Sequence, residues 1–155
     1  MNFSRYRKEV DTVLSEISSN VEKFMKSFLD MFGITVIQFK ILSVISEKGN
    51  ISIGELSNLT IMDAGNMSSM CKKLEKNGYL VRTRNLKDER VVEVSLTDKA
   101  KDMITKLDSL FDERFKNFFE NENDEDLEVI LRALKKLSER FTQMNESLNK
   151  KIKEE

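Results

Sequence analysis

The stretch DAGNMSSMCKKLEKNGYLVRTRNLKDERVVEVSLT, residues 63–97, changes its periodicity halfway along. As far as Asn77 its apolar residues recur at intervals of three and four, which predicts an amphipathic helix. Asp63 can cap the start of this helix, and Gly78 can supply the positive φ that ends it. Beyond that glycine the period is two, interrupted by the polar segment 85–89. We therefore predict a helix followed by a β-hairpin.

Two further helix starts precede this stretch. In Thr35-Val36-Ile37-Gln38 the threonine hydroxyl can accept from the backbone amide of the glutamine, whose side chain reaches back, an arrangement called a capping box. The segment Ser52-Ile53-Gly54-Glu55 repeats the pattern. The predicted order is therefore three helices and a hairpin, which is typical of a winged helix-turn-helix. We place this DNA-binding lobe at residues 34–97.

Long amphipathic helices are predicted on both sides of the lobe. Apolar residues at helical spacing run through residues 1–33 and, with a break at 121–124, through 98–155. A small winged core cannot cover all of these stripes, and large exposed apolar patches favour association. We therefore predict a mainly α fold with a small β-wing, and a homodimer held by the terminal helices. The dimerisation candidates are Tyr6, Val10, Leu134, Phe141 and Leu148.

The composition narrows the classes of function. The 155 residues include no histidine, one cysteine and no proline, and the net charge is −1. Without an imidazole the chain has no Ser-His-Asp triad, no Cys-His pair and too few soft ligands for structural zinc. We therefore expect no enzyme activity, no metal and no cofactor. The single thiol and the lack of a signal-like or membrane-spanning apolar segment favour a cytoplasmic protein.

The charge is unevenly distributed along the chain. Residues 63–91 hold seven basic and four acidic residues, whereas residues 120–131 hold six acidic residues and no basic one. Phosphate binding depends on local charge rather than on the chain average, so the first of these segments is the candidate for contact with DNA. We interpret the acidic segment as favourable charge at a helix start rather than as a metal site.

The helix predicted at 63–77 has the two faces of a recognition helix. Its apolar side carries Met67, Cys71 and Leu74. On the polar side, Asn66 and Ser69 are short, neutral and near the N-terminal end, where they can approach base edges in the major groove. The polar side continues with three lysines, whose long cationic side chains suit the flanking phosphates, and begins at Gly65, which allows close approach of the backbone.

The predicted hairpin would form a basic wing. Arg82 and Arg84 fall on one face of its first strand, and Arg90 follows Asp88 at the loop. A wing arginine can enter the minor groove, where negative potential is concentrated. Asp88 has two interpretations: it accepts from Arg90 and holds the guanidinium in one direction, or it forms a surface ion pair that contributes little.

Together these segments resemble the MarR family of bacterial transcriptional regulators. The resemblance is detailed over residues 34–100 and is carried by Ile34 to Phe39, Ile53 to Leu56, Leu74 to Leu80, Asp88-Glu89-Arg90 and Ser95-Leu96-Thr97. Ala100 departs from the glycine that the family often has there. The resemblance implies a homodimeric repressor of palindromic operators, released when a small, often aromatic or phenolic, ligand binds between the dimerisation helices and the winged lobe.

The resemblance also assigns positions at the DNA. It places Asn66, Ser68, Ser69 and Lys73 at the major groove and Arg90 in the minor groove. The full set of DNA-binding candidates is Ser52, Asn66, Ser68, Ser69, Lys72, Lys73, Lys76, Arg82, Arg84, Asp88 and Arg90.

Several alternatives stay open at this point. The phenylalanines of the helix after Thr97 can line a ligand pocket, or they can belong to the core or the dimer interface. Cys71 lies on the apolar side of its helix, which favours packing over redox sensing. Of the rival classes, a winged-helix module that binds proteins and no longer binds DNA would carry acidic residues at positions 66, 69, 73 and 90. A small enzyme would need chemistry that the composition lacks.

Overall fold

A computed structural model describes residues 2–60 and 62–154, with side chains described as far as Ser147. It confirms a mainly α fold with a small β-wing. The elements in chain order are α1 (Phe3–Leu29), a 3-10 turn (Asp30–Phe32), α2 (Val36–Lys48), β1 (Ile51–Ser52), α3 (Ile53–Thr60), α4 (Ala64–Lys76), β2 (Leu80–Arg84), β3 (Val92–Leu96), α5 (Asp98–Phe119) and α6 (Asp124–Glu154).

The chain divides into two compact units, Met1–Asp112 and Glu113–Glu155. The first unit contains α1 to α4, the sheet and most of α5, and the second contains the end of α5 and all of α6. The division into segments 1–33, 34–97 and 98–155 stays a prediction. Among the described residues no single helix is long and apolar enough to cross a membrane, although α1 with its 3-10 turn and α2 would pass together as a bent pair by length and composition.

The helix boundaries follow the capping residues. Thr35 forms the complete capping box: its hydroxyl accepts from the backbone N–H of Gln38 at 3.2 Å, and the Gln38 side chain accepts from the Thr35 N–H at 2.8 Å. Ser52 supplies half of the second box, accepting from the backbone N–H of Glu55 at 3.1 Å. Asp63 caps α4, and Gly78 has the positive φ of 77° predicted for it.

The sheet has one strand more than the hairpin predicted from sequence. The strand order is β1-β3-β2, all antiparallel, with Ile51 opposite Val94 and Leu80 opposite Leu96. The predicted hairpin is β2 and β3; β1 was not foreseen, because it spans two residues, too few for an alternating pattern to show. Its pairing joins the start of α3 to the root of the wing.

One continuous apolar core holds the first unit together. Met67, Cys71 and Leu74 of α4 are fully buried in it, which confirms the predicted apolar side of that helix. Phe111 of α5 makes an aromatic cluster with Phe24, Phe28 and Phe39 (ring centroids 5.2–6.1 Å from that of Phe111). For Phe111, the core interpretation of the α5 phenylalanines therefore applies.

The terminal helices leave apolar stripes exposed. Tyr6 is 50% exposed and Val10 half-buried on α1, where Val13, Ile17 and Val21 are also exposed. In the second unit Leu134 and Phe141 of α6 are exposed, and none of the described side chains of α6 is buried. The side chain of Leu148 lies outside the described residues.

Candidate nucleic-acid interface

The polar face of α4 points to solvent over its whole length. Asn66, Ser69, Lys72, Lys73 and Lys76 are all exposed, while Ser68 is half-buried. The opposite face is fixed by the three fully buried side chains that pack into the core. Because α4 is anchored along one side, its outward residues are presented in a fixed order, short neutral side chains first and lysines later.

The first turn of α4 contains a tether that the sequence did not suggest. One carboxylate oxygen of Asp63 accepts from the backbone N–H of Asn66 at 2.9 Å, and the other accepts from the side-chain amide of Asn66. The backbone hydrogen bond lowers the pKa of Asp63 from its ordinary value. Asn66 therefore has one of its two side-chain N–H groups committed to Asp63.

A shallow groove of about 360 Å³ runs along the outward face of α4. Asn66, Ser69 and Lys73 line it on the helix side, each about one turn from the next. Apolar side chains complete it, namely Ile37, Met62 and Met70. Three of the predicted major-groove residues thus share one concave surface.

The segment that ends α4 is held by contacts from α5 and from the 3-10 turn after α1. The ammonium of Lys99 donates to the carbonyl of Asn77 at 2.7 Å and lies 4.3 Å from the ring centroid of Tyr79. Tyr79 is only 6% exposed, and its hydroxyl donates to the carbonyl of Phe32 at 3.0 Å. This hydrogen bond joins the turn after α1 to the segment between α4 and β2.

Arg82 is the less exposed of the two arginines on β2. Its guanidinium lies 3.5 Å from the carboxylate of Glu75, and only 19% of its side chain is exposed. The arginine packs against the end of α4 near Cys71, because residue 82 comes back alongside that helix after the turn at Gly78. Arg82 thus braces the wing against α4, and Arg84 is the exposed arginine of this strand. Contact of either arginine with DNA stays a prediction.

Cys71 has the surroundings of a packing residue. It is fully buried, and that burial raises the pKa of its thiol from the ordinary value of 9.0, with Arg82 and Glu75 exerting smaller and opposite influences. A thiol that stays protonated is a poor nucleophile. The structure thus supports the interpretation drawn from its position on the helix.

The wing loop is built from side-chain-to-backbone hydrogen bonds. The side-chain oxygen of Asn85 accepts from the backbone N–H groups of Lys87 and Asp88 at 2.8 and 3.1 Å. Asp88 in turn accepts from the backbone N–H of Arg90 at 3.0 Å. Asp88 therefore fixes the loop backbone, and among the described residues it makes no pair with the Arg90 guanidinium; both sequence interpretations of this residue were wrong.

Glu93 fastens the root of the wing. Its carboxylate accepts from the side-chain amide of Asn50 at 2.6 Å and from that of Asn85. Each carboxylate oxygen accepts from one of the two amides, so Glu93 links the turn before β1 to the start of the wing loop. Sequence reasoning missed this residue because the two amides lie 43 and 8 positions away from it.

The remaining candidates divide by exposure. Arg84, Lys87, Asp88 and Arg90 are exposed around the wing loop, whereas Ser52 is half-buried with its hydroxyl oxygen used as a helix cap. The hydroxyl hydrogen of Ser52 is still available to a phosphate oxygen. The outward face of α4 and the wing loop are thus both polar, cationic and rigidly presented within the first unit.

Comparison with known proteins gives these features a context. Residues 23–107 match the family model described as transcriptional regulator SarA/Rot. The HTH-type transcriptional regulator SarZ of Staphylococcus saprophyticus is 33% identical over 112 residues, covering 72% of this chain and 76% of that protein. SarZ of Staphylococcus epidermidis is 31% identical over 101 residues, covering 65% and 68%.

Solved structures show the same architecture. A MarR family protein from Bacillus stearothermophilus superimposes with a TM-score of 0.78 at 30% identity, covering 92% of this chain and 99% of that one. A mutant MarR from E. coli, solved in complex with operator DNA, superimposes with a TM-score of 0.71 at 22% identity, covering 83% and 93%. The second likeness concerns the fold alone.

Proposed function

Because this chain belongs to the MarR family, and within it matches the SarA/Rot transcriptional regulators, we propose that it is a dimeric, sequence-specific DNA-binding repressor. The observation that carries the proposal is the outward face of α4. It is exposed along its whole length, polar, and backed by a side that is fully buried. A helix with these two faces is suited to lie in the major groove.

The order of side chains along α4 assigns their roles. Asn66 and Ser69 lie toward the N-terminal end of α4. Their side chains are short and can contact DNA only where the helix lies against it, so we assign them to base edges. Lys73 and Lys76 follow one to two turns later, where a recognition helix leaves the groove, and we assign them to phosphates. Lys72 and Ser68 flank this line, and Ser52 contributes a hydroxyl from the start of α3.

The wing supplies the second contact. The exposed guanidinium of Arg90 follows a loop whose backbone is fixed by Asn85 and Asp88, so the arginine leaves the protein at a defined point. A guanidinium that extends from a fixed backbone position suits the negative potential of a narrow minor groove. Arg84 and Lys87 add charge at its edges.

The exposed stripes on α1 and α6 support the homodimer. Each carries large apolar side chains on the surface, among them Tyr6 on α1 and Leu134 and Phe141 on α6. Water-exposed apolar area of this extent is stabilised by burial against a second copy. In a symmetric dimer the two recognition helices would lie roughly 34 Å apart and read an inverted repeat.

The effector is proposed to bind a groove of about 520 Å³ in the first unit. Its walls are apolar apart from Lys40, Ser43 and Thr60, so it suits a small aromatic body bearing an acidic or phenolic group. Leu59 of α3 and Met62 line it, and Met62 immediately precedes Asp63, the cap of α4. A ligand that displaced this wall would move the start of the recognition helix, which gives a route for release of DNA.

The decisive experiment is footprinting of the purified protein on the intergenic DNA beside its own gene, with a matched pair of lysine variants. We expect a protected inverted repeat, strongly weakened by Lys73→Ala and unchanged by Lys106→Ala, which removes another exposed lysine, from α5. Arg90→Ala should weaken binding by about 10-fold or more with the dimer intact.

The alternative, a winged-helix module that binds proteins, makes the opposite prediction. It requires that no duplex be bound better than any other, and that Lys73→Ala and Lys106→Ala behave alike. For the effector, substituted benzoic acids should release DNA from the wild type, and Lys40→Ala should blunt their effect more than that of neutral phenols. If Lys40→Ala reduced the release of DNA by benzoic acids and by neutral phenols equally, Lys40 would have no role in binding the carboxylate.

A further inference from the structure

The wing ends in an apolar side chain that none of the described residues covers. Leu86 has an exposed fraction of 102%, the highest among the large apolar residues whose exposure the structure describes. Single exposed leucines are common on protein surfaces and need no explanation by themselves. Leu86 differs because of how it is held and of what surrounds it.

Hydrogen bonds close the loop that carries Leu86. Asn85 lies immediately before Leu86, and its side-chain oxygen accepts from the backbone N–H groups of Lys87 and Asp88 at 2.8 and 3.1 Å. The N–H of Asn85 also donates to the carbonyl of Val91 at 2.9 Å, and Glu93 binds its amide. Leu86 is therefore the tip of a closed turn, not part of a loose loop.

Cations flank the leucine. Lys87 is its neighbour, and Arg84 and Lys87 line the same cleft of about 560 Å³ below the tip. These charges attract the phosphate backbones, while an exposed leucine gains nothing from phosphate. Proteins that insert apolar side chains into the minor groove combine these same two features, cations at the rim and an apolar wedge at the centre.

We propose that Leu86 is a wedge that enters the minor groove beside Arg90 and partly opens a base step there. The inference rests on the proposed DNA binding and adds to it a contact of another kind, apolar rather than ionic. It also adds a source of sequence preference. Opening a step costs least at pyrimidine–purine steps such as TA, so the protein would favour flexible steps that it never reads by hydrogen bonds.

The test uses two 30-base-pair duplexes derived from the footprinted operator, with either TA or GC steps at the outer flank of each half-site. Wild type should prefer the TA duplex. Leu86→Ala should bind that duplex about ten-fold more weakly, since apolar contact area is lost, and should lose the preference. The slope of log affinity against log salt should stay unchanged, because no charge is removed.

Two further variants separate the wedge from charge effects. Lys87→Ala should lower the magnitude of the salt slope by about one per subunit and keep the TA preference. Leu86→Lys should raise the slope and lose the preference. Because Leu86 packs on nothing, all three proteins should unfold at the wild-type urea concentration.

Specific outcomes would overturn the inference. Equal affinities of wild type and Leu86→Ala, or an equal loss on both duplexes, would show that no base step is opened. A Leu86→Lys protein that retains the TA preference would show that the tip acts through charge. Wild-type protein that binds neither duplex would refute the proposed function, and this inference with it.

Discussion

The tether between Asp63 and Asn66 leads to a prediction about specificity. Asp63→Ser keeps a good N-cap for α4, because a serine hydroxyl can accept from the backbone N–H of Asn66 as the carboxylate does. The substitution removes the second oxygen, which accepts from the side-chain amide of Asn66. The helix should therefore form normally while the amide of Asn66 loses its fixed direction.

The size of the effect follows from the rotamers that Asn66 regains. On a helix an asparagine has about two accessible χ1 wells, and its amide has about two orientations, which gives about four states. The state that reads the base should then fall about four-fold in population at each half-site. For a dimer on a palindrome the ratio of affinities for matched and scrambled operators should fall about 16-fold.

The assay is a titration of both duplexes at fixed salt, by fluorescence anisotropy. Removal of a negative charge from each subunit should strengthen binding to both duplexes alike, so the ratio is the informative quantity. Glu89→Gln is the matched control, since it removes an exposed negative charge of the wing without touching Asn66. It should raise both affinities and leave the ratio unchanged.

A double-mutant cycle decides whether Asp63 acts through Asn66. In an Asn66→Ala background the tether has no partner, so Asp63→Ser should no longer change the ratio. A ratio that stays at the wild-type value in the Asp63→Ser single variant would refute the reasoning. A fall of the same size with and without Asn66 would show that Asp63 affects specificity by another route.

Four other predictions concern α4 and the segment that follows it. Lys76→Ala should weaken binding to matched and scrambled duplexes equally and lower the magnitude of the salt slope by about one per subunit; a changed sequence preference would contradict this. Tyr79→Phe removes the buried hydrogen bond to Phe32 and should lower the free energy of unfolding, measured by urea titration, by about 1 kcal/mol. An unchanged free energy of unfolding would show that this hydrogen bond is not formed. Because burial raises the pKa of Cys71, iodoacetamide should modify it slowly at pH 8 until urea unfolds the protein. The raised pKa stabilises the native state fully below pH 9.0, so the stability advantage over Cys71→Ala should shrink as the pH rises above that value; an advantage independent of pH would contradict it.

The fold was predictable where local signals determined it. Thr35 and Asp63 indicated two helix starts, and Gly78 indicated a helix end. The change of hydrophobic period at Tyr79 indicated the hairpin. Each of these signals depends on residues within four positions of one another, which a single sequence displays. The buried side of α4 followed from the same short-range periodicity.

The candidate site was predictable in its residue types and less so in its contacts. Glu75 pairs with Arg82 across the turn at Gly78, and Glu93 joins two amides from different loops. Such pairs depend on how the helices and strands pack, and no rule of sequence spacing predicts which residues will meet. The same applies to Asp88, whose nearest available donor proved to be a backbone N–H rather than a guanidinium.

The position of Tyr79 gives this protein an internal optical reporter. The chain contains no tryptophan and only two tyrosines, so light of a wavelength that phenylalanine does not absorb excites emission from Tyr6 and Tyr79 alone. Tyr6 is half exposed on the stripe of α1 assigned to the dimer, whereas Tyr79 is buried with its hydroxyl bound to a carbonyl. Dissociation of the dimer on dilution should therefore change the emission of Tyr6, and unfolding should change the emission of Tyr79. A Tyr6→Phe protein would carry one emitter, at the junction between the end of α1 and the recognition helix, and would report the state of that junction without any added dye.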